Sequence, residues 1–132
     1  MIPDLRSYIS QLKKTREIKT IKRKVSTKYE IASITEKYED STALFFENVK
    51  GRKFPVVSNL IGTRSRFAQA LGTKIPGIHQ KMVKAISATK KPKITTNAKF
   101  FENTSNDISI LPIATHFLKE SGPFITSSIL HT

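Results

Sequence analysis

The sequence predicts a single α+β (mixed α/β) domain over residues 1–132, with helices packed on a sheet of hairpin-linked strands. A chain of 132 residues is long enough for one compact domain and too short for two. Apolar side chains recur at helical spacing in some segments and form short strand-like runs in others. Because the two kinds of segment are mixed along the chain, the α+β class follows.

The first third of the chain predicts two helices with a strand between them. Asp4 is a suitable N-cap for a helix whose apolar positions lie within 5–12. Partial alternation of apolar and basic residues over 17–25 predicts an exposed or edge strand. Ser26 or Thr27 is then expected to cap a second helix. The buried stripe expected on that helix is Tyr29, Ile31, Ile34 and Tyr38.

The central third predicts a hairpin followed by two helices. Ala43–Glu47 and Phe54–Leu60 read as strands joined by a turn at Gly51. A third helix is expected to begin at Thr63, as its N-cap, and to end at Gly72. Its expected inward side chains are Phe67, Ala70 and Leu71. A fourth helix, opened by Pro76, carries Ile78, Met82, Val83 and Ile86 on one face.

The last third predicts strands. Ala98–Glu102 and Ile108–Ile113 are apolar runs separated by a polar loop, and Phe124–Leu130 is rich in β-forming residues after a turn.

The charge of the chain is strongly positive and unevenly distributed. It has 23 Lys and Arg against 10 Asp and Glu, a formal net charge of +13. From Asn48 to Lys99 there are twelve basic residues and no carboxylate. Such a segment indicates an anionic partner (nucleic acid, an acidic protein face or a phosphate-bearing ligand) or a solvated lysine-rich surface. With no cysteine, no apolar run of about 20 residues and no signal-peptide pattern, we expect a soluble, cytoplasmic protein.

Signals for catalysis are weak, and we predict no catalytic or metal-binding residue. His79, His116 and His131 lack metal-ligand spacing. The sequence Phe-Phe-Glu-Asn occurs at 45–48 and again at 100–103, and we interpret both copies as strand ends.

The start of the third helix is a candidate anion site. Thr63, Arg64 and Arg66 are candidates for contact with an anion or a partner, through a helix N-terminus and guanidinium groups. Thr63 acting only as a helix cap explains the same pattern.

The central block resembles a known family. Residues 44–51 read LFFENVKG and residues 54–63 read FPVVSNLIGT, followed in register by Arg66 and by AQALG at 68–72. This block is similar to the N-terminal domains of UbiD decarboxylases, which typically read LLFENVKG and then FPVLGNLFGTxxRxAxALG. Weaker similarities occur at Asp4–Arg6, Glu17–Lys19, Glu30–Ala32, Leu111–Ile113 and Phe124–Thr126.

The resemblance implies the fold of the UbiD N-terminal domain, ending near the start of the flavin-binding domain. UbiD enzymes use prenylated FMN with a divalent metal and a monovalent cation to decarboxylate α,β-unsaturated or aromatic acids. The resemblance places the metal, flavin and acid–base residues beyond this sequence, so we expect a non-catalytic scaffold domain or small subunit of a carboxy-lyase, acting with a larger UbiD-like catalytic subunit. Thr126 is the one position that the resemblance places near the cofactor.

Two alternatives remain open from the residues alone. One alternative to the subunit is a nucleic-acid-binding protein that uses Arg64, Arg66, Lys74, Lys81 and Lys84 as a phosphate track. The other is a stand-alone family remnant that acts as a homo-oligomer. Exposed apolar residues at Ile125, Ile129 and Leu130 would favour a subunit or an oligomer.

Overall fold

The computed structural model describes Ile2, residues 4–92, 94–96 and 102–120, and Ile125. The described residues form a three-stranded sheet with helices, which confirms the α+β class. In chain order the elements are α1 (Leu5–Lys14), β1 (Ile18–Ile21), α2 (Glu30–Glu36), β2 (Ala43–Phe46), β3 (Val56–Ser58), α3 (Arg64–Ala70), a 3-10 turn (Ile75–Gly77), α4 (Ile78–Ser87) and a second 3-10 turn (Ile108–Ile110).

The sheet has the order β1-β2-β3 and contains both kinds of strand pair. β1 runs parallel to β2, with Ile18 opposite Ala43, and the connection between them contains α2. β2 and β3 are antiparallel, with Phe46 opposite Val56, so the predicted hairpin is confirmed. The strand expected over 17–25 is shorter, at Ile18–Ile21, and lies at a sheet edge as predicted.

The central strand β2 divides the core into two parts, because successive side chains of a strand point to opposite faces. On the face covered by α2, Leu44 and Phe46 pack with Val25, Ile31 and Val49. On the opposite face, Ala43 packs with Tyr8 and Leu12 of α1. Three of the four β2 residues are buried, so this strand is the centre of the domain.

The first two helices begin differently. Asp4 caps α1 as predicted, since its carboxylate accepts a hydrogen bond from Ser7 N at 2.7 Å. The expected cap of α2 at Ser26 or Thr27 is wrong: Tyr29, in the left-handed region at φ 63°, is the N-cap residue. Glu30 stabilises this entry, because its carboxylate accepts a 2.7 Å bond from Ser26 N and pairs with Arg23.

Helix α3 has both predicted ends. Thr63 is its N-cap, and Gly72, at φ 67°, follows its last turn. Thr73 N donates to Ala68 O at 2.9 Å and Gly72 N donates to Gln69 O at 3.0 Å, which is the Schellman arrangement. The buried residues of this helix are Arg66 and Ala68. Those expected to face inward, Phe67, Ala70 and Leu71, are only partly buried.

The strand expected over 108–113 is wrong in its first half. Ile108–Ile110 is a 3-10 turn capped by Asp107, whose carboxylate accepts a 2.8 Å bond from Ser109 N. A side chain that bonds the backbone two residues later favours a turn over a strand. Of the strands expected over 98–102 and 124–130, all but Glu102 and Ile125 lie outside the described residues. No helix among the described residues has the length and apolar character needed to cross a bilayer.

Candidate functional site

Thr63, the first of the three residues predicted to contact an anion or a partner, is a helix cap. Its hydroxyl oxygen accepts a 3.2 Å hydrogen bond from Arg66 N, so it satisfies a backbone donor of the first turn of α3. Arg64 is exposed on the same turn. Of the three predicted residues, only Arg64 is therefore exposed.

The expectation that Arg66 contacts an anion or a partner is wrong, because the residue is buried and not open to an anion. It is 3% exposed, and its guanidinium donates to three backbone carbonyls: Nε to Leu60 O at 3.2 Å, Nη1 to Ser41 O at 2.5 Å and Nη2 to Asn59 O at 3.1 Å. A guanidinium has five N–H donors in a rigid plane and is well suited to hold several carbonyls at once. Arg66 therefore fixes the loops before β2 and after β3.

Asn59 holds the same loops from the other side. The backbone of Asn59 lies in the left-handed region at φ 54°, and the side-chain Nδ2 donates to carbonyls of the α2–β2 connection. The distances are 2.6 Å to Tyr38 O, 2.9 Å to Glu39 O and 2.9 Å to Thr42 O, so two N–H groups serve three acceptors. We call Asn59, Arg66 and the carbonyls they bind the Asn59/Arg66 cluster.

Tyr8 connects α1 to this cluster. Its hydroxyl lies 2.9 Å from Arg66 O and 3.2 Å from Leu60 O, and the side chain is 5% exposed. Burial raises the pKa of the phenol, because ionisation would place a charge where water is excluded. The neutral phenol is thus a donor that joins α1, the β3–α3 loop and α3.

A cleft of about 840 Å³ lies between α2 and the segment around residues 116–118. Thr115, next to His116, joins this segment to the residues before α2: its N–H donates to Thr27 O and its carbonyl accepts from Tyr29 N, both at 3.0 Å. One wall carries carboxylates and the other carries an imidazole and apolar side chains. The residues that line the cleft include Tyr29, Glu36, Glu39, His116, Phe117 and Leu118.

Helix α4 presents a second surface of interest. Its predicted apolar face is present, but none of its residues is buried. We define the α4 face as Ile75, Met82, Val83 and Ile86, whose exposed fractions are 48%, 44%, 48% and 73%. Apolar side chains grouped in this way on a helix are typical of a surface that binds another protein.

The other histidines and carboxylates considered from the sequence do not form a metal site among the described residues. His79 and His116 are exposed, as are Glu47 and Glu102, and His131 lies outside the described residues. Within the described part of the chain, no three His, Cys, Asp or Glu side chains are grouped so as to hold a metal ion. Thr126, expected near the cofactor, lies outside the described residues, so its role stays a prediction.

Comparison with known proteins decides the family. The sequence profile of the 3-octaprenyl-4-hydroxybenzoate carboxy-lyase N-terminal domain matches residues 9–86, which contain the sheet, the Asn59/Arg66 cluster and most of α4. The chain belongs to the UbiD N-terminal domain family.

Relatives of this UbiD N-terminal domain are named as decarboxylases. The chain is 27% identical over 114 residues to anhydromevalonate phosphate decarboxylase of Methanothermobacter thermautotrophicus, covering 86% of this chain and 27% of the relative. It is 29% identical over 127 residues to the Methanosarcina mazei protein of the same name, covering 95% and 29%. The chain therefore spans less than a third of the length of these relatives.

Solved structures agree with the fold of this UbiD N-terminal domain. The UbiD-class enzyme HmfF from Pelotomaculum thermopropionicum, in complex with FMN, is similar with a TM-score of 0.81 and 28% identity, covering 89% of this chain and 28% of the enzyme. The vanillic acid decarboxylase of Sedimentibacter hydroxybenzoicus, in its closed form, gives a TM-score of 0.54 at 26% identity, covering 62% and 18%.

Sequence reasoning missed the structural role of the motif that carries the UbiD resemblance. Thr63, Arg64 and Arg66 were interpreted as candidate contacts for an anion or a partner, whereas the side chains of Asn59 and Arg66 bind the domain's own carbonyls. A signal was present in Gly62, three residues after Asn59, because a glycine permits a close approach that any Cβ would block.

Proposed function

We propose that this UbiD N-terminal domain is the non-catalytic scaffold or small subunit of a UbiD-type decarboxylase and acts with a larger catalytic subunit. The observation that carries the proposal is the family match over residues 9–86, together with a fold shared with a UbiD-class enzyme at a TM-score of 0.81. Prenylated FMN, a divalent metal and a monovalent cation are expected in the partner subunit. The decarboxylation chemistry would take place there.

Exposed apolar side chains support an assembly. Besides the α4 face, Phe117 and Leu118 are 74% and 85% exposed, and Ile125 is 64% exposed. Residues of this kind gain free energy when another protein removes them from water, at about 25 cal/mol per Å² of apolar area. Ile129 and Leu130, the other two positions expected to indicate a subunit, lie outside the described residues.

The charge distribution supports a partner of opposite sign. With a net charge of +13, this domain would associate fastest with an acidic subunit, and salt would slow that association by screening. The relatives act on different acids by their names, an anhydromevalonate phosphate in one case and vanillic acid in another. We propose that the catalytic subunit selects the substrate from the α,β-unsaturated and aromatic acids.

The test is co-expression with the UbiD-type catalytic chain of the same organism, with tagged purification at moderate salt. We expect a complex whose mass equals the sum of both chains and whose visible spectrum contains flavin absorbance. Purified catalytic chain without this domain is the control for stability and decarboxylase activity. Co-purification of nucleic acid with no flavoprotein would overturn the proposal in favour of a basic nucleic-acid-binding protein, and a self-associated chain with no flavoprotein would favour a homo-oligomer.

A further inference from the structure

Helix α4 has an apolar face that the rest of the described domain leaves uncovered. Its main contacts are with the 3-10 turn that precedes it, and no residue of either element is buried. By contrast, α1, α2 and α3 each bury at least one side chain. The helix thus contributes little to the core, and its apolar face stays exposed in the described domain.

The spacing of the apolar residues places them on one side of the helix. Ile78, Met82 and Ile86 follow one another at intervals of four residues, which is one stripe of a helical surface, and Ile75 lies in the 3-10 turn just before it. Val83 lies beside this stripe. Gln80 and Lys84 lie on the opposite side. This is the pattern of a helix that inserts into an apolar groove.

Positive charge surrounds the stripe. Five lysines lie on or next to the helix, and residues 48–99 contain no carboxylate to offset them. All five are exposed: Lys74, Lys81, Lys84, Lys90 and Lys91. A groove that binds this helix would gain by carrying Asp and Glu on its rim.

We infer that α4 is the helix by which this domain docks into an apolar, acid-rimmed groove of the UbiD-type catalytic subunit. The inference rests on the proposed function and adds the surface and the chemistry of the partner. A second copy of this chain fits less well, because two α4 helices would bring their lysines together and repel. Nucleic acid fits less well too, because the exposed apolar side chains of α4 are aliphatic and its one ring on which a base could stack is the imidazole of His79.

The test compares two variants that introduce the same residue on opposite sides of α4. Met82→Glu places a carboxylate on the apolar face, and Gln80→Glu places one on the polar face. Both positions are exposed, so both variants should keep the circular dichroism spectrum of the natural chain. Affinity for the purified catalytic chain is measured by calorimetry, and mass is measured by light scattering. Because the charge change is identical, a difference between the variants reports the apolar contact.

We expect Met82→Glu to weaken binding at least about tenfold and Gln80→Glu to change it by less than about threefold. Ile86→Glu, at the most exposed position of the face, should act as Met82→Glu does. Equal affinities of all variants, with the natural chain still binding, would overturn the inference and leave the proposed function standing. Failure of the natural chain to bind would overturn both. A homodimer of the natural chain that Met82→Glu dissociates would show that a second copy occupies the face, which also overturns the inference.

Discussion

Gly62 lies so close to the side chain of Asn59 that a Cβ at position 62 would be 1.6 Å from Asn59 Oδ1. No heavy atom fits at that distance, so the side-chain amide keeps its position only beside a glycine. The same amide binds three carbonyls of the α2–β2 connection. The loop after β3 and the loop before β2 therefore depend on one glycine.

Gly62→Ala should destabilise the domain by at least about 2 kcal/mol, because Asn59 must move and release carbonyls that it satisfies. Gly51→Ala is the matched control. Gly51 has φ 71° but open space around its Cα, so only the cost of the left-handed backbone applies, about 1 kcal/mol. Urea denaturation measures both changes in the free energy of unfolding. A smaller cost at Gly62 than at Gly51 would contradict the packing described above.

A double variant isolates the contact between the two residues. Asn59→Ala removes the oxygen that a Cβ at position 62 would meet, so adding Gly62→Ala to it should cost clearly less than Gly62→Ala alone. Additive costs in the double-mutant cycle would indicate that Gly62 is required for another reason.

Arg66→Met should lower the free energy of unfolding by roughly 3–5 kcal/mol, since methionine fills a similar space but offers no donor. Ser41 O would lose its donor, while Leu60 O and Asn59 O would keep only Tyr8 Oη and Gly62 N. Arg64→Met, on the same turn and exposed, should change it by less than about 0.5 kcal/mol. The comparison is made by denaturant unfolding at constant salt. Similar effects of the two substitutions would mean that the guanidinium of Arg66 is not structural.

The sequence predicted the elements whose signals are local. Thr63 and Gly72 marked both ends of α3, and the turn at Gly51 marked the hairpin, because caps and turns depend on single residue types. The parallel partnership of Ile18 with Ala43 was not predicted, since nothing in either segment specifies a partner 25 residues away. The role of Arg66 was missed for a similar reason. Its acceptors are backbone carbonyls, which every residue has, so the sequence does not show which carbonyls a side chain will reach.

Tyr8→Phe should cost about 1 kcal/mol at neutral pH through the lost hydrogen bonds to Arg66 O and Leu60 O. It should also flatten the alkaline limb of the stability profile. Burial raises the folded-state pKa of Tyr8, so its contribution is complete below the unfolded-state pKa of about 10 and is lost as pH rises through the higher folded-state pKa. Thermal unfolding from pH 8 to 11 measures the difference, and parallel curves for the two proteins would refute it.

Glu30→Gln should make the stability of the domain depend less on pH in the acid range. The bond from Ser26 N, and then the pairing with Arg23, lower the pKa of Glu30 in the folded state. The resulting stability is present above the unfolded-state pKa and is lost as pH falls through the lower folded-state pKa. Arg23→Met should remove only part of the acid dependence, because the backbone donor remains. Unfolding midpoints of the two variants and the natural chain are measured between pH 2.5 and 6. An equal reduction of the acid dependence in Glu30→Gln and Arg23→Met would contradict this prediction.

Every buried side chain in the described part of the chain lies between Tyr8 and Ala68. Because the chain leaves the ribosome from its N-terminus, all of these core residues emerge before α4 does, and both sheet pairings can form as soon as they have emerged. Hydrogen exchange in the finished protein should follow the same division, with the slowest amides in β2 and rapid exchange in α4 of the isolated chain. The part of the domain that holds the core can thus fold before the exposed helix α4 emerges.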